Sequence, residues 1–96
     1  MAQQERRRFR VDGVVQGVGF RWFVHRLASR FALTGFVLND GQGVVVEAEG
    51  TPEALDSLAT ALRDDAPALA RVDSVVAEPL PAVGDSGFEI RFSAPR

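Results

Sequence analysis

The chain has 96 residues, a formal net charge of -2 at pH 7 and no cysteine, and 46% of its residues are hydrophobic. A chain of this length folds around one core, its charge does not favour nucleic acid or an anionic membrane, and the lack of cysteine excludes disulfides and thiolate chemistry. Because no apolar run reaches the roughly 18 residues of a membrane span and the polar N-terminus shows no secretory signal, we expect one cytoplasmic domain over residues 1–96, frayed over residues 1–6.

The first half of the chain has the pattern of a strand, a helix and a hairpin. Apolar and charged residues alternate over residues 8–14, which predicts a strand with one buried face. Apolar residues recur at spacings of three and four over residues 21–31, which predicts an amphipathic helix. A short apolar run at 36–38 and an alternating segment at 44–49 are separated by turn residues at 39–43, so these segments predict two antiparallel strands.

The second half repeats the helix and adds two strands. Thr51 is a residue type that caps helix N-termini, and Pro52 suits the first helical position. This second helix is expected to end at residues 64–67, where the sequence is Asp-Asp-Ala-Pro. Residues 71–78 read as a fourth strand, and residues 79–87 read as a loop. The fifth strand is predicted from the alternating apolar residues Phe88, Ile90 and Phe92.

The predicted order βαββαββ indicates an open-faced sandwich, in which two helices cover one face of an antiparallel sheet. Split βαβ units favour the α+β ferredoxin-like arrangement, βαββαβ, with an additional C-terminal edge strand. An RNA-binding domain of this fold needs exposed aromatic residues on the open face of the sheet. We do not expect them, because the pattern assigns to the core the phenylalanines Phe9, Phe36, Phe88 and Phe92.

A glycine-containing stretch, Gln-Gly-Val-Gly-Phe-Arg at residues 16–21, connects the first strand to the first helix. Gly17 and Gly19 permit positive φ angles, which turn several backbone N–H groups to one side. The helix N-terminus adds further free N–H groups and the positive end of its dipole. Arg21 is a cation at that same end, where the dipole opposes it unless an anion lies between them. These features predict an anion site; the alternative is a tight connection followed by a solvated arginine.

Four other features have less specific meanings. Asn39 precedes Asp-Gly in a hairpin, where it is ordinary turn chemistry, although the topology can bring it near the glycine stretch. His25 lies beside the apolar stripe of the first helix, as a boundary residue rather than an acid-base group or metal ligand. Gly-Asp-Ser-Gly at 84–87 resembles a protease nucleophile motif but is better read as a surface turn. The arginines at 6–8 fit a solvated terminus better than a nucleic-acid arm.

Three segments together resemble the acylphosphatases. They are Gly-Val-Val-Gln-Gly-Val-Gly-Phe-Arg-Trp-Phe at residues 13–23, Gly-Phe-Val-Leu-Asn at 35–39 and Val-Val-Val-Glu-Ala-Glu-Gly at 44–50. The likeness continues through residues 67–73 to residues 88–90, so it covers nearly the whole chain. The glycine and asparagine motifs are far more specific together than either is alone.

The resemblance implies hydrolysis, without metal or cofactor, of the mixed anhydride between a carboxylic acid and phosphate. A small-molecule acyl phosphate is then the substrate, inorganic phosphate is product and inhibitor, and a chain of this size and fold can act as a monomer. The resemblance also implies that Arg21 binds the phosphate and that Asn39 positions the attacking water. The family's phosphate-binding loop corresponds here to Gln16, Gly17, Val18, Gly19 and Phe20.

The chemistry of an acyl phosphate agrees with these roles. Its carboxylate is a good leaving group, so the enzyme must mainly hold the phosphoryl oxygens, stabilise their charge and direct a water in line. Loop N–H groups and Arg21 suit the first two tasks. Asn39 is a neutral amide and cannot be a strong base, so a phosphate oxygen of the substrate is expected to take the proton of the water.

The sequence departs from the family pattern in ways that leave alternatives open. Phe36 stands where many relatives have tryptophan, and Asp40 brings a carboxylate that would weaken anion binding if it pointed into the site. The N-terminal domain of the hydrogenase-maturation carbamoyltransferase shares the loop, the arginine and an Asn-Asp-Gly turn. Such domains usually have proline at the position of Trp22 and continue into cysteine-rich zinc modules. Both differences favour a free-standing acylphosphatase over such a carbamoyl-phosphate-handling domain. That domain and a non-catalytic anion- or RNA-binding module on the same fold stay the alternatives.

Overall fold

The computed structural model describes residues 3–92, which form two helices and a five-stranded sheet. The first four elements are β1 (Glu5–Val14), α1 (Phe20–Arg30), β2 (Thr34–Asn39) and β3 (Val44–Gly50). The last three elements are α2 (Pro52–Asp64), β4 (Arg71–Leu80) and β5 (Phe88–Ile90). The predicted order βαββαββ is confirmed, and Thr51 caps α2 as expected, because its hydroxyl accepts the N–H of Ala54 at 3.1 Å.

The strands lie in the order β4-β1-β3-β2-β5. The first four pair antiparallel, as the ferredoxin-like α+β arrangement requires, whereas β5 pairs parallel with β2. Our prediction of a wholly antiparallel sheet is therefore wrong at this edge. The short connection at residues 81–87 stays at one end of the sheet, so β5 must run in the direction opposite to β4. Because β2 also runs opposite to β4, β5 is parallel to β2.

Both helices pack on the same face of the sheet and enclose the core. Alternation along β1 turns Phe9 and Val11 toward the helices, and both side chains are fully buried. The apolar stripe of α1 packs against them, and the burial of each large apolar side chain stabilises the fold by about 1.5–3 kcal/mol. The buried helix residues are Phe20, Phe23, Val24, Leu27 and Ala28 of α1 and Leu55, Leu58, Ala61 and Leu62 of α2.

The open face of the sheet carries ion pairs, and they order the start of the chain. Residues 5 and 6 already belong to β1, so the expectation of a frayed segment over residues 1–6 is wrong for these two; residues 1 and 2 lie outside the described part. Arg6 is only 5% exposed, and its guanidinium pairs with Glu47 at 3.0 Å and with Glu49 at 3.3 Å. Arg8 also pairs with Glu47. These arginines therefore belong to a paired strand rather than to a frayed terminus, although Arg8 itself is exposed.

Glu49 anchors the connection between β4 and β5 on the open face. Its two carboxylate oxygens accept the N–H groups of Val83 and Gly84, each at 2.9 Å. Asp85, in the protease-like sequence, pairs with Arg6 at 3.3 Å. Residues 84–87 thus lie at the surface, as predicted, with a bend at Gly87, and Asp85 serves an ion pair.

Two phenylalanines do not lie in the core, contrary to our assignment. Phe36 is half-buried on the open face, beside the fully buried Val37, and the guanidinium carbon of Arg91 lies 3.9 Å from the centroid of its ring. Phe92 follows β5 and is 82% exposed. The assignment failed for Phe36 because residues 36–38 are all apolar, and such a run does not define which residues of a strand face inward. Phe9 and Phe88 do pack in or against the core.

Candidate active site

The connection between β1 and α1 turns on two glycines in the left-handed conformation. Gly17 has φ 72° and Gly19 has φ 78°. A Cβ at either position would meet nothing within 4 Å, so the backbone angle rather than crowding requires glycine here. Gly19 is also the N-cap of α1, with no side-chain cap and no acidic residue in the first turn. The N–H groups at this end of the helix are therefore free to bind an anion.

A hollow of about 200 Å³, which we call the α1 hollow, opens at this helix N-terminus. It is lined by Val15, Gly17, Gly19, Phe20, Arg21, Trp22 and Asn39. The fold thus brings Asn39 to the glycine stretch, as the topology suggested. Val15 and Trp22 were not in the predicted set; the position of Trp22 in the first turn, beside Arg21, was the signal that could have found it.

Gln16 and Val18, two predicted loop residues, do not line the α1 hollow. The side chain of Gln16 is turned to the neighbouring hairpin, where Nε2 donates a hydrogen bond to the carbonyl oxygen of Gly43 at 3.2 Å. Val18 is half-buried and packs against the core. Gln16 therefore ties the loop to the 39–43 turn, and Val18 fixes the loop to the body of the domain.

Asn39 is the last residue of β2, in the same alternation phase as the core residue Val37, so it faces the helices. Its side-chain oxygen Oδ1 is buried and has no hydrogen-bond partner within residues 3–92. A buried acceptor without a partner costs about 1–3 kcal/mol. The residue lines the α1 hollow, and its side-chain amide carries both a donor and an acceptor that suit a bound water or ligand.

Asp40 lies next to Asn39, but it does not line the α1 hollow. One carboxylate oxygen pairs with Arg10 of β1, and the other accepts the N–H groups of Gln42 at 3.0 Å and Gly43 at 3.1 Å. The hydrogen bond from Arg10, supported by that of Gln42, holds the pKa of Asp40 below its ordinary value. The charge is thus neutralised by Arg10, and the carboxylate closes the turn that follows Asn39.

Arg21 extends from the first turn of α1 toward the C-terminal segment. Its Nη1 donates to the carbonyl oxygen of Arg91 at 3.3 Å, and the guanidinium carbon lies 5.7 Å from the centroid of the Phe92 ring. A guanidinium carries several further N–H donors in a planar fork. Arg21 is therefore held at the rim of the hollow with donors to spare for an oxyanion.

Other features bear on what the site can hold. Within residues 3–92, no group of three or more histidine, cysteine, aspartate or glutamate side chains is arranged to bind a metal ion. His25 is half-buried between the rings of Trp22 and Phe88, as the boundary residue that we expected. Neither described helix has the length and hydrophobicity needed to cross a bilayer.

The structure is a ferredoxin-like sandwich with a glycine-containing loop and an arginine at the N-terminus of its first helix. The sequence profile of the acylphosphatase family matches residues 7–90. The chain belongs to the acylphosphatase family.

Relatives of two kinds share this domain. The chain is 48% identical over 95 residues to an acylphosphatase from Nitratidesulfovibrio vulgaris, covering 94% of this chain and 93% of the relative. It is 56% identical over 88 residues to the carbamoyltransferase HypF2 from Cupriavidus necator, covering 91% of this chain. The chain spans only 11% of the length of that carbamoyltransferase. Sequence identity therefore does not favour the stand-alone relatives over the larger ones.

Solved structures show the same two kinds of neighbour. An acylphosphatase from Coxiella burnetii superposes with a TM-score of 0.87 at 31% identity, covering 92% of this chain and 93% of its own. Full-length HypF, in a phosphate- and nucleotide-bound form, superposes with a TM-score of 0.93 at 29% identity, covering 97% of this chain and 12% of its own. Both likenesses extend over nearly the whole domain, in agreement with the ferredoxin-like fold.

Proposed function

We propose that this chain hydrolyses acyl phosphates to a carboxylate and inorganic phosphate without a metal ion. The observation that carries the proposal is the meeting, in the lining of one hollow, of a helix N-terminus with free N–H groups, Arg21 and the side-chain amide of Asn39. A site that only bound an anion would need N–H donors. The amide of Asn39 adds an acceptor to these donors, and an acceptor suits a water rather than an oxyanion.

The phosphoryl group is bound by the loop and by Arg21. Backbone N–H groups at Gly17, Gly19 and the first turn of α1 donate to its oxygens, and the guanidinium of Arg21 donates from the rim. In the transition state, negative charge lies on the non-bridging oxygens, where fixed donors stabilise it without reorganising. The anion also explains why an arginine tolerates the positive end of the helix dipole.

Asn39 orients the nucleophile. Its Oδ1 accepts a hydrogen bond from a water, whose oxygen then attacks phosphorus in line with the leaving group. The bond between phosphorus and the acyl oxygen breaks, and its electron pair leaves with the carboxylate. The proton of the water passes to a phosphate oxygen, because a neutral amide cannot hold it.

A second substrate is supported by the identity to the carbamoyltransferases. Carbamoyl phosphate is itself a mixed anhydride of a carboxylic acid and phosphate, so the same residues would act on it in the same way. Under this alternative the chain handles carbamoyl phosphate as one domain of a larger protein. The expectations of a monomer in the cytoplasm, without cofactor or nucleic acid, and of inhibition by inorganic phosphate stay predictions.

The test is hydrolysis of acetyl phosphate and carbamoyl phosphate by the purified chain in the presence of a chelator. We expect turnover of at least one of them and competitive inhibition by inorganic phosphate. The absence of turnover on both would refute the enzymatic function, and dependence on added metal would refute the proposed mechanism.

Two variants assign the roles. Arg21→Ala should lower kcat/KM on the order of 10²–10³-fold and abolish phosphate binding, because it removes charge from the phosphoryl site. Asn39→Ala should lower kcat about 10²-fold while phosphate still binds, because only the water is misplaced. Arg26→Ala, at an exposed position of the same helix, and Gln42→Ala, in the same turn, are the matched controls. Full activity of Asn39→Ala would make Asn39 only a turn residue.

A further inference from the structure

Two exposed aromatic side chains flank Arg21. The chain has seven phenylalanines and one tryptophan, and all eight lie within the described residues. Six of them are buried or half-buried, whereas Trp22 is 64% exposed and Phe92 is 82% exposed. Trp22 lines the α1 hollow, and the Phe92 ring lies against the guanidinium of Arg21. The exposed aromatic surface of the domain is therefore concentrated at the entrance of the candidate active site.

The ring of Trp22 packs against a second ring, that of His25. It lies edge-on to His25, with 6.3 Å between ring centroids, and His25 lies edge-on to Phe88 at 6.1 Å. Phe88 packs against the core, so this row of rings connects Trp22 to the body of the domain. Edge-to-face contacts of this kind favour one orientation of each ring. Trp22 is thus oriented even though most of its surface is exposed.

Phe92 reaches the same entrance through the parallel pairing of β5. Ile90 pairs with Val37, and the N–H of Arg91 donates to the carbonyl oxygen of Val37 at 2.8 Å. Phe92 follows two residues after Ile90, and its ring lies against the guanidinium of Arg21. The edge strand therefore brings one exposed ring to Arg21, and α1 brings the other to the hollow that the loop glycines line.

We infer that Trp22 and Phe92 form a subsite for the acyl group, and that this subsite selects acyl phosphates with a planar, apolar acyl group over small polar ones. The inference rests on the proposed function. A phosphoryl group held by the loop and Arg21 leaves its acyl substituent at the entrance, between these two rings. Both rings expose apolar surface to water, and a flat apolar acyl group would cover part of that surface on binding.

The kinetic test compares benzoyl phosphate with acetyl phosphate. We expect the native chain to favour benzoyl phosphate, and Trp22→Ala and Phe92→Ala each to lower kcat/KM for benzoyl phosphate about tenfold, mostly through KM. Both variants alter the surroundings of Arg21, so kcat/KM for acetyl phosphate should fall as well, but by a clearly smaller factor, and the ratio of the two substrates should fall. Trp22→Phe keeps an aromatic ring and should retain the preference for benzoyl phosphate. The control is Leu69→Ala, at a residue that is 80% exposed and lies just before β4. Equal losses on both substrates, or no loss on either, would overturn the inference.

A binding test separates this inference from the proposed hydrolysis. Trp22 is the only tryptophan, so intrinsic fluorescence reports on it alone. Phenylphosphonate should shift the emission of Trp22 and bind about tenfold more tightly than methylphosphonate, whether or not the chain turns over acyl phosphates. Equal affinities for the two phosphonates, or binding of phenylphosphonate without a change in Trp22 emission, would show that the rings do not contact the ligand and would overturn the inference.

Discussion

Asp40 and Arg10 form an ion pair that fixes the turn immediately after Asn39. The same carboxylate accepts the N–H groups of Gln42 and Gly43, and the carbonyl of Gly43 in turn accepts a hydrogen bond from Gln16. One short turn thus follows Asn39 directly and is hydrogen-bonded to Gln16 in the glycine-containing loop. The two halves of the candidate site are connected through this turn before any ligand binds.

Substitution of Asp40 tests whether this carboxylate repels the substrate or positions Asn39. Asp40→Ala removes the ion pair and the turn hydrogen bonds, so we expect kcat to fall between about 10-fold and 100-fold with little change in phosphate affinity. Asp40→Asn keeps an acceptor for the two N–H groups and should lose less. The measurement is kcat together with the inhibition constant of phosphate. A gain in phosphate affinity without loss of kcat would mean that repulsion dominates.

Gln16→Ala tests the link between the loop and the turn. The variant loses the hydrogen bond to Gly43, and the loop should become less ordered, so we expect phosphate binding to weaken about threefold to tenfold. Stability should change by no more than about 1 kcal/mol, because the side chain is exposed. Isothermal titration with phosphate measures the effect. Gln42→Ala removes an exposed glutamine from the linked turn without touching this bond and should bind normally.

Glycine substitutions separate backbone strain from the chemistry of the loop. Gly19→Ala places a Cβ in open space at φ 78°, so the cost is the left-handed conformation, about 1–2 kcal/mol. Gly84→Ala has the same open surroundings at φ 71° far along the chain and should cost a similar amount. Thermal unfolding should therefore give similar losses of stability, while only Gly19→Ala loses activity. Loss of activity in both variants would indicate a global effect.

Gly13→Ala should be far more damaging than either of these. Its Cβ would lie 2.0 Å from the carbonyl oxygen of Arg71, where β1 and β4 pair. No side-chain rotation can relieve a backbone clash of this kind, so the pairing of the two strands must shift. We expect a loss of the cooperative unfolding transition in circular dichroism. A variant with the stability of Gly84→Ala would contradict the close approach.

Acidification should weaken the domain through Glu49. The N–H of Val83, with that of Gly84 and the guanidinium of Arg6, holds the pKa of Glu49 below its ordinary value, against the cost of burial. A lowered pKa in the folded state stabilises the fold above the unfolded-state value of about 4.3, and this contribution is lost as pH falls through the folded-state pKa. Urea unfolding between pH 7 and about pH 3 should show this decline.

The control for this pH dependence is Glu49→Gln. The amide keeps the shape of the side chain but cannot titrate, so the decline in the free energy of unfolding should be smaller than in the native chain. The variant should also be less stable at pH 7, because Arg6 loses a charged partner in a buried position. An identical slope in both proteins would show that Glu49 does not contribute.

The sequence alone determined the order of the elements, the conformation of the loop and the residues that we propose for the site. Periods of 2 and 3.6 residues arise within single elements, and the demand for glycine at Gly17 and Gly19 comes from local backbone sterics. The ferredoxin-like fold followed from that order. Assigning Arg21 and Asn39 to the same site required the family resemblance as well, because no local pattern relates a helix N-terminus to the end of β2.

Only the tertiary structure decided where several side chains point, because their partners are distant in sequence. The direction of β5 depends on the edge it joins, and the outward face of Phe36 depends on which side of the sheet the helices cover. Asp40 turns away from the hollow because Arg10, on another strand, pairs with it. Phe92 lies against Arg21, the neighbour of Trp22, because α1 begins close to where the chain leaves β5, a proximity that no local sequence pattern encodes.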